Sequence, residues 1–195
     1  MLQVFGRVKS RTFRVVWLLE ELKTPYELIE VAPRSEEARK VYKNGKIPFI
    51  LDNKNLISDS VAILTYLSDK HKNFTETPGS TVRAKQDAFT FRILDEFEAL
   101  LWVAAKHTYI FPTEKKVPEI INILKWEFTR NQEKLVDEFS IENFLCGDKF
   151  LVPDILLVHC LVWAKSMDFP ICDSLIKYLD KLSCRPAYQK AFALR

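Results

Sequence analysis

A proline interrupts what otherwise reads as the start of a buried strand in GKIPFI, residues 45–50. Proline has no N–H to give to a sheet ladder, so a central strand should exclude it. A few residues on, the apolar run LISDSVAILTYL, residues 56–67, is broken by Asp59 and Ser60 just where a helix should begin. Any fold assigned to this chain has to find a use for both interruptions.

The first seventy residues alternate strand and helix signals. Leu2–Phe5 is a short apolar run that reads as a strand. Ser10 precedes RTFRVVWLLEEL, whose apolar and Leu/Glu content reads as a helix with Ser10 at its cap. Tyr26–Val31 alternates and is rich in β formers, and Ser35–Tyr42 is short, charged and helix-like. Pro48–Leu51 and Leu56–Ile57 flank DNKN, a hairpin turn by composition. Ser58 or Asp59 then caps a helix from Ser60 to about Lys70.

At KNFTETPGS, residues 72–80, the hydrophobic period stops and the composition is that of a linker. Beyond it strand signals vanish. Helices are expected over Thr81–His107, Pro118–Phe139, Pro153–Met167, Cys172–Leu182 and Pro186–Leu194. The expected fold class is α/β plus all-α. A mixed four-stranded sheet domain over residues 1–74 is followed by a helical-bundle domain over residues 81–195.

Composition narrows the function. Twenty-nine basic against 26 acidic residues give a net charge of only +3, and no long basic stripe occurs, so nucleic-acid binding is not expected. With four glycines and no G-x-G-x-x-G or Walker pattern, neither is a nucleotide cofactor. The cysteines, Cys146, Cys160, Cys172 and Cys184, include no C-x-x-C, so neither a metal site nor dithiol redox chemistry is expected. No apolar run suits a signal peptide or a membrane span, which points to the cytoplasm with free, mostly buried thiols.

A hairpin-linked strand pair joined to a strand–helix–strand unit is the thioredoxin-like arrangement. There, a proline opening the third strand follows a cis peptide bond, here Ile47–Pro48, which turns the Ile47 backbone toward an extended, peptide-like ligand. The chain resembles the glutathione transferases at GRVKSRTFRVVWLLEEL, GKIPFI, LISDSVAILTYL and GDKFLVPDILL, in that order. The resemblance implies glutathione as co-substrate, no metal and no nucleotide, and a cytoplasmic homodimer.

By the same resemblance, Ser10 activates the glutathione thiol, as in the serine-type classes. Phe5 lies where tyrosine-type members carry their hydroxyl. Ile47, with Pro48, pairs with the cysteinyl unit. Ser60 holds the γ-glutamyl carboxylate, Asp59 meets the ammonium, and Lys46 is a candidate for the glycine carboxylate. Asp59 and Ser60 could instead merely cap the helix, and Ser10 could be a plain N-cap. Arg11 and Arg14 could assist the thiolate, although arginine on a first helical turn is more often exposed or ion-paired.

A small apolar electrophile is expected between the domains, near Trp102, Lys106, Tyr109 and Phe111. Conjugation to such an electrophile is the implied reaction, with peroxide reduction by the same thiolate as a near variant. A non-catalytic interaction module is the alternative, favoured by the short Asp59 and by Tyr42–Lys43 where the family often has Asn-Pro. Leu151 cannot cap the helix of GDKFLVPDILL, so Asp154 is expected to bond back to loop N–H groups.

Overall fold

The computed structural model describes every residue except Ile141. Contacts divide the chain into two compact units, Met1–Pro78 with Leu182–Arg195, and Gly79–Lys181. The helical stretch expected to run as one domain to the C-terminus is thus shared, its last fourteen residues grouping with the sheet.

The sheet holds β1 (Leu2–Phe5), β2 (Tyr26–Ile29), β3 (Phe49–Asp52) and β4 (Asn55–Ser58), in the order β2-β1-β3-β4. β1 runs parallel to β2 and antiparallel to β3, and β3 runs antiparallel to β4. Helices α1 (Phe13–Leu22), α2 (Glu36–Val41) and α3 (Ser60–His71) complete the thioredoxin-like arrangement. α1 is buried all round: Phe13 to Leu19 are all inaccessible or nearly so. Such a helix belongs to a core with elements on more than one side. Phe5 stacks on Phe49 at 4.6 Å between ring centroids, in a cluster with Val31 and Ala38 that Tyr42 and Ile47 cover.

The second unit begins with α4 (Thr81–Ile93) and α5 (Ala99–Ala105). The intervening Leu94–Glu98 and the following Lys106–Ile110 are π-helical, and helical backbone at the junctions makes this one long helix with two wide turns. α6 (Ile120–Val136), α7 (Val152–Ser166) and most of α8 (Asp173–Ser183) follow, while α9 (Pro186–Ala193) packs on α1 in the first unit. Phe97, Phe128 and Phe169 form a chain of edge-to-face contacts at 5.3 and 5.4 Å in the second core.

At α7, Leu151 has no side-chain acceptor. The return half of the cap is present: Asp154 Oδ2 accepts from the Leu151 amide at 2.7 Å. Asp154 Oδ1 accepts from the Leu145 amide at 2.9 Å and from the Tyr178 hydroxyl. Burial of this carboxyl outweighs the hydrogen bonds it accepts and pushes its pKa up to about 6. The thiols are less hidden than their residue type suggests: Cys160 is buried, Cys146 and Cys172 are partly exposed, and Cys184 is exposed. Among the described residues, no helix is long and apolar enough to cross a membrane.

Candidate functional site

Three segments of the first unit converge where β1 ends. Gly6 has φ +146°, and its amide donates to Ile29 O at 3.1 Å. A Cβ at this glycine would stand 2.2 Å from Thr12 Oγ1 and 3.2 Å from Ile47 Cβ. The turn into α1 and the loop into β3 therefore close on the Gly6 backbone from two sides, an approach only glycine permits.

In the first segment, Ser10 has φ −119° and ψ −165°, extended backbone inside the wide turn Val8–Thr12. Its hydroxyl donates to Arg7 O at 2.7 Å, and its oxygen accepts from the Thr12 amide at 3.2 Å. Thr12 Oγ1 lies 3.0 Å from the same oxygen. Ser10 thus closes the start of α1 as a cap does, and its one proton already has an acceptor. Thr12, fully buried at the core of this turn, was not singled out by sequence.

The second segment is the loop into β3. The Ile47–Pro48 peptide bond is cis. Pro48 precedes the first residue of β3, so the proline costs the ladder no N–H. Ile47 lies outside the strand pairing, half-buried, while Lys46 beside it is exposed. Tyr42, in the departure from the family pattern, packs its ring 5.5 Å from Phe49 and accepts from the Ser58 hydroxyl at 3.3 Å.

The third segment is the start of α3. Asp59, at φ +74°, is the cap: its Oδ1 accepts from the Val61 and Ala62 amides at 2.8 and 3.1 Å. The Ile63 amide donates to Asp59 O at 2.9 Å. Of the first-turn amides this leaves that of Ser60, which has no acceptor among the described residues. Ser60 is 2% exposed, and its Oγ accepts from Arg14 Nη1 at 3.2 Å. Arg14 is fully buried, so of the two expectations for a first-turn arginine, exposure or ion pairing, exposure does not hold. The signal for it was available: Phe13 precedes it and the unbroken apolar run VVWLL, residues 15–19, follows it.

This corner can bind an anion. Ser60 presents a hydroxyl proton and an amide at a helix N-terminus, backed by a guanidinium. A peptide-like ligand would also find the half-buried edge at Ile47. Lys46 lies next to that edge in sequence, with its side chain in solvent.

The residues expected to line an electrophile pocket all fall in the second unit. Trp102 is on α5, 40% exposed, with its ring 6.4 Å from that of Trp163. Lys106 Nζ lies 5.9 Å from the Phe111 ring centroid, and Tyr109 is largely exposed. His107 Nδ1 accepts from the Val117 amide at 3.1 Å and its ring packs against Phe111, so it serves the loop's structure.

The chain is similar to known glutathione transferases in sequence and fold. Residues 10–77 match the family described as the glutathione S-transferase N-terminal domain. The chain is 26% identical to rat glutathione S-transferase Mu 1 over 209 aligned positions, covering 98% of this chain and 91% of that one. A glutathione transferase homologue from Lodderomyces elongisporus, solved with two glutathiones per subunit, superposes with a TM-score of 0.85 at 22% identity, covering 99% of this chain and 98% of that one. The glutathione transferase URE2P6 from Phanerochaete chrysosporium, in complex with oxidised glutathione, gives 0.81 at 25%, covering 98% and 94%. Over residues 10–77 the chain carries a glutathione S-transferase N-terminal domain, and over nearly its whole length it is similar to glutathione transferases.

Proposed function

We propose that this chain binds reduced glutathione and transfers its thiolate to small apolar electrophiles. The observation that carries the reading is the corner at Ser60, where a buried hydroxyl and a helix N-terminal amide meet a buried guanidinium beside a cis-proline loop. That set suits the γ-glutamyl carboxylate, with Ile47 offering backbone to the cysteinyl unit. Asp59 caps α3 through Oδ1 and can still meet the ammonium with its other oxygen. Lys46 is the candidate for the glycine carboxylate.

In the serine-type reading, Ser10 supplies the hydrogen bond that favours thiolate. A free thiol has a pKa of about 8.5, so lowering it by ~2 units makes the thiolate dominant at neutral pH. To act, the Ser10 hydroxyl must turn from Arg7 O to the sulfur. The thiolate then attacks the electrophilic carbon, an S–C bond forms, and a leaving group such as chloride departs with the bonding pair. The thiol proton passes to solvent. Trp102, Lys106, Tyr109 and Phe111 are the candidates for the electrophile's surroundings. A cytoplasmic homodimer belongs to the same proposal and rests on the family resemblance.

A second reading, a glutathione-binding module without turnover, is favoured by one observation: the Ser10 proton is committed to Arg7 O at 2.7 Å. Retention on immobilised glutathione followed by conjugation of a chlorinated nitrobenzene separates the two. Binding with turnover that falls in Ser10→Ala supports the transferase. Binding without turnover supports the module, and failure to bind refutes both.

A further inference from the structure

Arg14 is fully inaccessible, four residues beyond Ser10, and its Nη1 donates to Ser60 Oγ at 3.2 Å. Because arginine only donates, Ser60 Oγ is the acceptor in this pair. One lone pair of the serine oxygen is thereby fixed, and its proton has to point elsewhere. No acceptor among the described residues takes that proton, nor the Ser60 amide. A hydroxyl whose oxygen accepts from a cation is polarised and becomes the stronger donor.

We propose that Arg14 is the positioning residue of the carboxylate grip. It orients the Ser60 hydroxyl so that O–H and N–H of one residue together take the γ-glutamyl carboxylate, and its charge stabilises that anion from behind. The inference rests on the glutathione reading given above. The role is electrostatic and acts at one end of the ligand only. The thiol and the glycine carboxylate should not sense it.

The test uses two ligands, glutathione and the dipeptide cysteinylglycine, which lacks the γ-glutamyl unit. Calorimetric titration of Arg14→Gln should show glutathione weakened by about tenfold, the size expected for one charge-assisted hydrogen bond. Affinity for cysteinylglycine should be unchanged, and Arg14→Lys, which keeps the charge and a donor, should recover most of the loss. A merely structural role would weaken both ligands alike, and that result, or an unaltered glutathione affinity, overturns the proposal. If Arg14→Gln does not fold, Arg14→Met, which fills the same buried space without the charge, must give the same split between the two ligands. Equal weakening there also refutes it. Failure of the unaltered protein to bind glutathione defeats the underlying reading and this one together, whereas normal binding by both variants defeats this one alone.

Discussion

The last helix is held to the rest of the first unit by a pair whose strength can be worked out. Arg185 Nε and Nη2 donate to the two oxygens of Glu21 at 2.6 and 2.8 Å, joining the N-cap of α9 to the last turn of α1. The Glu21 side chain is 9% exposed and that of Arg185 28%, so the pair lies between the surface and buried limits. At a charge separation of about 4 Å and an effective dielectric of ~20 the attraction is ~4 kcal/mol. Partial desolvation and the ordering of two long side chains offset roughly half, leaving a coupling of about 2 kcal/mol. The measurement is a double-mutant cycle, Glu21→Ala, Arg185→Ala and both, by urea unfolding. Trp17 Nε1 also donates to Glu21 Oε1, at 3.0 Å. That bond is lost in both Glu21 arms and cancels in the cycle. Each single variant should also speed amide exchange across Pro186–Ala193. A coupling below ~0.5 kcal/mol, the range of an exposed pair, would refute the reasoning.

Two buried carboxyls should respond to pH with opposite signs. Asp52 accepts from Lys70 and from Tyr66, at 2.7 Å for the latter, and these bonds hold its pKa below the usual carboxylate range. Its contribution is present above its unfolded value of ~3.9 and is lost as pH falls through the lower folded value; Asp52→Asn should remove that acid-side loss in urea unfolding measured at low pH. Asp154, pushed up to about 6 by burial, holds a proton that the unfolded chain releases, so its contribution to stability grows as pH falls from ~7 toward ~4. With a shift of ~2 units the change is ~3 kcal/mol, and it should be absent in Asp154→Asn; equal pH slopes in the two proteins would contradict it. Gly6→Ala should cost ~1–3 kcal/mol in unfolding free energy, because the added Cβ meets Thr12 Oγ1 at 2.2 Å on backbone at φ +146°. An unaltered melting curve would sink that expectation.

Much of the first unit was legible because its signals are local. β1 is Leu2–Phe5 as its apolar run suggests, Ser35 caps α2 through the Ala38 amide at 3.2 Å, and Asp59 caps α3. Pro48 could be placed at the start of its strand because a missing N–H leaves few alternatives, and the strand itself begins one residue later, at Phe49. Asp154 could be given its loop amides because Leu151 has no oxygen to offer. What stayed hidden depends on which surface covers a residue, and periodicity carries no record of that. α9 has an ordinary amphipathic pattern, and nothing in it says that Tyr188 will pack on Trp17 at 5.0 Å rather than on the helical unit. The wide turns at Leu94–Glu98 and Lys106–Ile110 shift the helix face without a glycine or proline to announce them.

Arg14 marks the boundary between these two kinds of information. Residue type alone sends an arginine to the surface, because burying its charge without partners costs several kcal/mol. Its neighbours Val15, Val16, Trp17 and Leu18 argue the other way, since four consecutive apolar residues exceed any single face of a helix. The conflict is the signal: a sequence that spends a cation inside a helix buried on all sides needs something for that cation to hold. Here it holds Ser60, one of the two residues that interrupt LISDSVAIL, and in the proposed reading an anion beyond that serine completes the reason for both.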